Sequence, residues 1–141
     1  MLKYAFIVLF LFAGCTSGFE YWDYDYEYEE EFVEIGEAFY WVWHEIKYEK
    51  DPENNWKLPH ETAILLTGDC EDQSLLFADI VYRYLGRYPI LLKIRDGEKF
   101  HIVVKVDGVI YDPTNSCIRK DDLDIKEFYT YGRAMFIALV R

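Results

Sequence analysis

The run GDCEDQS, residues 68–74, places Cys70 among three carboxylates. A cysteine attacks only as its thiolate, and neighbouring negative charge opposes that ionisation. A helix N-terminus stabilises a nearby anion by about 0.3 to 1 kcal/mol, whereas one poorly screened carboxylate about 4 Å away costs roughly 1 to 4 kcal/mol. A histidinium in contact can outweigh that cost, because Cys/His pairing lowers the thiol pKa from about 8.5 to well below neutrality. Cys70 therefore needs a histidine partner to become a nucleophile.

His101 is the histidine whose predicted position suits this role. The pair Asp107-Gly108 lies between alternating apolar runs and predicts a hairpin with a two-residue loop. In that register His101 and Asp112 are diagonal neighbours on one face of the sheet, with backbones about 7 to 8 Å apart. Asp112 would then hold the second ring nitrogen of His101 and favour its charged form. A one-residue slip in the loop would separate the pair.

The three acids around Cys70 are predicted to serve the helix that begins there. Asp69 can cap the helix from the preceding position. Glu71 and Asp72, in the first turn, can satisfy exposed backbone N–H groups while pointing away from the sulfur.

The elements that must position these residues begin with helices. Apolar residues recur every three or four places over residues 31–50, as on one face of a helix. A second helix is predicted from Cys70 to the glycine stop at Gly86. Between them Pro52 breaks the pattern, and residues 56–68, WKLPHETAILLTG, predict a short irregular stretch.

The C-terminal half has the pattern of a β-sheet. Three apolar runs separated by Asp-Gly pairs predict an antiparallel meander; they are PILLKIR, KFHIVVKV and VIYDPT. Residues 119–126 predict a polar connection, and the short apolar run RAMFIALVR, residues 133–141, predicts a fourth strand. The expected fold class is α+β, with N-terminal helices packed on the meander.

Several of these motifs together resemble the transglutaminase-like superfamily, in particular its bacterial cysteine-proteinase branch. The resemblance covers residues 48–115; it comprises WKLPHET, GDCED, His101 within a strand, and YDPT at residues 111–114. It implies a papain-like α+β core with Cys70 as nucleophile, His101 as general base and acid, and Asp112 as orienting residue. It also implies acyl transfer, in which Cys70 attacks an amide carbonyl, an amine leaves, and water or another amine resolves the thioester.

The resemblance also bears on metal binding. Some periplasmic relatives bind calcium beside the cysteine, which here would place it at Asp69, Glu71 and Asp72. The alternative is a site without metal, and this is the reading we adopt from the sequence. There is no cluster of cysteines and histidines at zinc spacing, and no cofactor is predicted.

The oxyanion hole is expected to include the backbone N–H of Cys70, because helix N-termini present free N–H groups. A second donor is left open among Trp56, Asn54 and Asn55, since spacing does not decide between them. The domain is short, so the cleft is expected to be shallow or to be completed by a partner.

The remaining cysteine and histidines have simpler readings. In an exported chain Cys70 and Cys117 could form a disulfide; the alternative, favoured by the Cys/His/Asp register, leaves Cys117 as a small buried residue near the sheet edge. His44 and His60 are expected to be structural or solvated.

Length and composition limit the partners. With 141 residues, 52% of them hydrophobic and 19% aromatic, the chain is expected to form one domain with an aromatic-rich core. The formal net charge of -11 provides no basic surface for a phosphate backbone, so nucleic acid is excluded as an expected partner.

The N-terminus predicts export. Residues 1–14 contain Lys3 followed by an apolar run too short to span a bilayer, as in a signal peptide. The run ends in Phe-Ala-Gly-Cys, which resembles a bacterial lipobox with Cys15 as the lipidated residue; a plain signal peptide is the alternative. Residues 15–31 are predicted to be a solvated acidic and aromatic tether, or alternatively a surface for a partner, and residues 32–141 the domain.

The sequence as a whole therefore predicts a lipid-anchored domain of the bacterial cell envelope, on the periplasmic or surface side. Its expected activity is cysteine-dependent acyl transfer on peptide or protein amides, with hydrolysis and transamidation both open. The alternative is a catalytically silent lipoprotein of the same fold that serves as a binding or assembly module.

Overall fold

The computed structural model describes residues 26–120 and 122–141. This part of the chain is α+β, with four helices, a five-stranded antiparallel sheet and a two-stranded parallel pair. The helices are α1 (Ile35–Glu45), α2 (Pro59–Leu65), α3 (Cys70–Leu85) and α4 (Tyr131–Val140). The strands are β1 (Lys47–Tyr48), β2 (Thr67–Gly68), β3 (Ile90–Asp96), β4 (Lys99–Val106), β5 (Val109–Asp112), β6 (Cys117–Arg119) and β7 (Asp124–Thr130).

The large sheet has the strand order β6-β5-β4-β3-β7. Strands β3 to β5 form the predicted three-stranded meander, and β6, which the sequence did not predict, pairs with β5 at its edge. The predicted register at its second turn is confirmed, because Val106 pairs with Val109. The two loop residues, Asp107 and Gly108, have φ values of 50° and 80°, the left-handed pair that a tight hairpin turn requires.

The prediction of a fourth strand over residues 133–141 was wrong, because this run forms α4. The hydroxyl of Thr130 caps the helix by accepting a hydrogen bond from the backbone N–H of Arg133 at 3.2 Å. The buried residues of α4 are Ala134, Met135 and Ala138, which lie on one helical face.

One edge of the sheet is instead formed by β7. This strand includes part of residues 119–126, a segment that was predicted to be a polar connection. It pairs antiparallel with β3, from Ile90 opposite Thr130 to Arg95 opposite Asp124. The strand is mostly exposed, as an edge strand with polar side chains can be.

The N-terminal helical region also differs from the prediction. The helix expected over residues 31–50 is the shorter α1, after which the chain turns into β1 and pairs with β2. The stretch predicted to be irregular contains α2, which begins with Pro59, a residue favoured in the first helical turn. The backbone N–H of Leu58 donates to the Glu61 carboxylate at 2.8 Å and completes this start.

The helix α3 is the centre of the core. Its side chains from Leu75 to Val81 are buried, and it packs across β4, where the Ser74 hydroxyl donates to the carbonyl of Ile102 at 3.0 Å. As predicted, it ends at Gly86, whose φ of 64° is left-handed. This packing fixes the N-terminus of α3 relative to the sheet.

The end of the predicted tether packs on this core. Tyr28 is only 6% exposed, and its hydroxyl donates to the buried carboxylate of Asp79. The buried acid needs such donors, so Tyr28 is not a solvated residue. Residues 15–25 lie outside the described residues, as do the predicted signal peptide and Cys15. In the part of the chain that is described, no helix has the length and apolar content needed to cross a membrane.

Candidate active site

Cys70 is the first residue of α3, and the helix start around it is capped as predicted. The Asp69 carboxylate accepts from the backbone N–H of Asp72 at 3.2 Å, and the Asp72 carboxylate accepts from the N–H of Asp69 at 3.2 Å. This reciprocal capping satisfies two N–H groups and fixes the backbone on both sides of Cys70. Gly68 allows the close packing, because a Cβ there would lie 2.6 Å from the Cβ of Asp72.

His101 and Asp112 form the predicted contact. The His101 Nε2 and Asp112 Oδ1 atoms are 2.9 Å apart. Since an ionised carboxylate only accepts hydrogen bonds, Nε2–H donates, and Nδ1 is the ring nitrogen left for Cys70. His101 lies on a stretch of β4 beyond its pairing with β5, which begins at Val104. At His101, β4 is therefore paired with β3 but not with β5.

The protonation of His101 depends on both of its partners. Burial opposes the charged imidazole and lowers its pKa, but hydrogen bonds with Asp112 and with Cys70, together with their negative charges, outweigh burial and raise the pKa to about 9. His101 is therefore an imidazolium at neutral pH. The structure thus joins His101 to Asp112 by a hydrogen bond and places Cys70 close enough to raise the pKa of His101.

Asp112 is held by residues that the sequence did not single out. Its carboxylate accepts from the Asn115 backbone N–H at 3.2 Å, from the Asn115 side-chain amide at 3.0 Å, and from Arg119 at 3.3 Å. Burial raises the pKa of Asp112, but the hydrogen bonds from His101 and Asn115 outweigh it and hold the pKa below its ordinary value. Asn115 follows Asp112 by three residues in the DPTN turn, a spacing at which turns form side-chain bonds to the backbone.

Arg119 continues this network to the neighbouring hairpin. Its second guanidinium nitrogen lies 3.1 Å from the carboxylate of Asp96, while the first contacts Asp112. The planar fork of arginine can hold two carboxylates at fixed positions. Arg119 therefore restrains Asp112 against motion away from His101.

Glu71 differs from its predicted role as a helix cap. Burial, the charge of Asp69, a hydrogen bond with the Asp69 side chain and the charge of Asp72 raise the pKa of Glu71 to about 8. Glu71 thus carries its proton at neutral pH. The cluster beside Cys70 holds less negative charge than three ionised acids would, which lowers the electrostatic cost of a thiolate.

Asp72 is the acid most tightly bound to the backbone. Burial and the charge of Asp69 raise its pKa to about 6, against the opposing effect of hydrogen bonds from the N–H groups of Lys57 and Asp69. The Lys57 N–H donates at 2.8 Å, and the Lys57 ammonium lies 3.5 Å away.

The same contacts bear on the calcium site considered from the sequence. Carboxylate oxygens of Asp69 and Asp72 accept from backbone N–H groups. Among the described residues, no group of three or more histidine, cysteine, aspartate or glutamate side chains is arranged to hold a metal ion. Asp69, Glu71 and Asp72 therefore do not fit a calcium ion in this arrangement.

The other cysteine and histidines lie outside this constellation. Cys70 and Cys117 are both free thiols, so the disulfide alternative does not hold; Cys117 is half-buried on the edge strand β6, opposite Asp112. His44 is exposed and stacks on Tyr40. His60 lies in α2, not in a loop as predicted, with its ring 5.9 Å from that of Tyr26.

The residues considered as second oxyanion donors have other contacts or lie in an exposed turn. The Trp56 ring is largely buried and packs 5.3 Å from the ring of Tyr129. The side-chain amide of Asn55 donates to Glu53 at 3.1 Å, and Asn54 lies in the same exposed turn.

Comparison with known proteins provides a similarity of fold. No protein-family model and no curated protein matches the sequence. Among solved structures, a Cytophaga hutchinsonii protein described as a "Putative Cysteine Protease" matches 67% of this chain with a TM-score of 0.54 and 16% sequence identity. This chain covers 35% of that protein's length. The similarity shows that the α+β architecture described above is shared with that protein.

Proposed function

We propose that this chain is a cysteine-dependent acyl-transfer enzyme of the transglutaminase-like type, with Cys70, His101 and Asp112 as its triad. The observation that carries the proposal is the position of His101, hydrogen-bonded to Asp112 and close enough to Cys70 for the sulfur to raise the pKa of the imidazole. An imidazolium in contact with a thiol stabilises the thiolate, the form that attacks carbonyl carbon. The fold shared with the Cytophaga hutchinsonii protein is compatible with this chemistry.

The first half of the reaction transfers the acyl group to the enzyme. The Cys70 thiolate forms a bond to the carbonyl carbon of an amide, and the carbonyl oxygen becomes an oxyanion. In the proposed mechanism the backbone N–H of Cys70, at the start of α3, donates to that oxygen. His101 gives its proton to the departing nitrogen as the carbon–nitrogen bond breaks, leaving a thioester and an amine.

The second half releases the acyl group. Neutral His101 takes a proton from water or from an acceptor amine as that nucleophile attacks the thioester. The carbon–sulfur bond then breaks, and the thiolate and imidazolium are restored. Asp112 fixes the ring through both half-reactions and favours the charged imidazole.

The proposed setting is the bacterial cell envelope, with peptide or protein amides as substrates. It rests on the signal-peptide pattern of residues 1–14 and on Cys15 as the lipidated residue. A lipid at Cys15, assisted by a second signal, would keep the domain at the membrane surface.

A catalytically silent binding or assembly module is the second candidate. It is favoured by aromatic side chains on the outer face of α1, where Tyr40 and Trp43 are 57% and 43% exposed. Adjacent exposed aromatic rings are typical of protein interaction sites.

Alkylation of the full-length protein with iodoacetamide near pH 6, followed by mass spectrometry, tests the enzyme proposal. We expect Cys70 to react at least about tenfold faster than Cys117 and to lose this advantage in His101→Ala. His44→Ala, at an exposed histidine, is the matched control and should leave the rate unchanged. If Cys70 reacts as slowly as a small free thiol, the chain is the silent module. If Cys70 is the reactive thiol, a comparison of envelope proteins from cells with the native chain and with Cys70→Ala would identify substrates.

A further inference from the structure

Tyr48 is held beside the nucleophile by the small parallel sheet. It pairs with Gly68 of β2, two residues before Cys70. The pairing is closed by hydrogen bonds from the Lys47 N–H to the Leu66 carbonyl at 2.9 Å and from the Glu49 N–H to the Gly68 carbonyl at 3.0 Å. Paired strands lie about 4.8 Å apart, so Tyr48 is fixed against the chain that leads into α3.

The side chain of Tyr48 is both accessible and uncommitted. It is 52% exposed, and among the described residues its hydroxyl has no hydrogen-bond partner. The hydroxyls of Tyr28, Tyr129 and Tyr131, in contrast, each donate to a carboxylate. Tyr48 therefore retains a donor that can turn toward a ligand.

The electrostatic surroundings of Tyr48 keep its phenol protonated. Partial burial raises the pKa of Tyr48, and the negative charges of Cys70 and Asp69 raise it further, joined by that of Glu71 above the Glu71 pKa of about 8. A phenol that keeps its proton beside a thiolate can donate a hydrogen bond throughout a reaction.

We infer that Tyr48 is the second oxyanion donor, a catalytic residue whose hydroxyl binds the acyl oxygen beside the backbone N–H of Cys70. This inference rests on the proposed acyl-transfer function. As the Cys70 sulfur bonds to the carbonyl carbon, the π electrons move to oxygen, and the two donors bind the resulting anion. When the intermediate collapses, the C=O bond re-forms and the leaving group departs. Tyr48 keeps its proton in both directions, so it binds charge without transferring a proton.

The variant Tyr48→Phe separates this role from activation of the thiol. Hydrolysis of p-nitrophenyl acetate passes through a tetrahedral oxyanion, whereas alkylation by iodoacetamide displaces iodide without one. We expect kcat for the ester to fall by about 10²-fold, and the alkylation rate of Cys70 to stay within about twofold. Tyr88→Phe is the matched control, because Tyr88 is 80% exposed and lies beyond the far end of α3, whose 16 residues span about 24 Å.

Each other outcome overturns the inference in a distinguishable way. Unchanged ester hydrolysis in Tyr48→Phe overturns the role of Tyr48 and leaves the proposed function standing. An equal loss in both assays also overturns it, because the phenol would then act on the thiolate. If wild-type hydrolysis equals that of Cys70→Ser, the proposed function fails and the inference fails with it.

Discussion

His101 Nε2 and Asp112 Oδ1 lie 2.9 Å apart, on two strands whose register is set by a two-residue turn. The contact joins a buried carboxylate to an imidazole that burial alone would keep neutral. Because the carboxylate is itself held by Asn115 and Arg119, it cannot easily follow the ring if the ring moves. The charge state of His101 thus depends on a preorganised anion.

Replacing Asp112 with asparagine tests this dependence. Asp112→Asn keeps the shape of the side chain but removes its charge, so burial should lower the pKa of His101 from about 9 by at least about one unit. The measurement is an NMR titration of the His101 ring protons. Asp107→Asn, at an exposed aspartate of the adjacent turn, is the control and should leave the titration unchanged. A His101 pKa that stays near its wild-type value in Asp112→Asn contradicts the assignment.

The raised pKa of Glu71 predicts that the free energy of unfolding falls as pH rises. Its carboxyl ionises near 4.5 when unfolded and at about 8 when folded, so the folded state holds the proton longer and stability falls between these values. Glu71→Gln imitates the protonated form. We expect this variant to match the wild type below pH 4.5 and to exceed it at pH 9 by about 1 to 2 kcal/mol, after allowance for the partial exposure of the side chain.

Urea unfolding at pH 4.5 and pH 9 measures this difference. Glu98→Gln, at an exposed turn position, is the control, with an expected change within about 0.5 kcal/mol at either pH. If Glu71→Gln is no more stable than the wild type at pH 9, ionised Glu71 costs the folded protein nothing, and the argument about charge beside Cys70 is wrong.

The sequence could predict those features of the site that are set by residues close together in the chain. The pairing of β4 with β5 was predictable, because Asp107-Gly108 alone fixes loop length and register. The start of α3 was predictable for the same reason, since Asp69 caps within one turn. These two local signals bring His101 next to Asp112 and place Cys70 at a helix N-terminus.

Other features depend on tertiary context. A short apolar run such as residues 133–141 suits a strand or a buried helix equally, and only packing against α3 decides for α4. Strand β7 is polar and lies at an edge, so it lacks the apolar alternation that marks strands. The protonation of Glu71 arises from burial beside Asp69, and burial is a property of the folded molecule.

Gly68 is predicted to be the least replaceable glycine near the site. A methyl group there would lie 2.6 Å from the Cβ of Asp72 and 3.2 Å from its carboxylate, so Gly68→Ala must displace the cap of α3. We expect a loss of about 1 to 3 kcal/mol in the free energy of unfolding. Gly36→Ala is the matched control, because a Cβ there meets nothing within 4 Å; in a helix it should add up to about 1 kcal/mol. Equal stability of the two variants would show that the contact at Gly68 relaxes without cost.

Tyr28 tests whether the segment before α1 belongs to the folded body. Its hydroxyl donates to the carboxylate of Asp79, which is buried and also binds Arg83 and Tyr131. Tyr28→Phe removes one donor from a buried charge without changing the ring, so we expect a loss of about 1 to 3 kcal/mol in the free energy of unfolding. Tyr40→Phe, at an exposed tyrosine of α1, should change it by less than about 0.5 kcal/mol. Because a solvated tether would make both substitutions neutral, urea unfolding of the two variants decides where the folded domain begins.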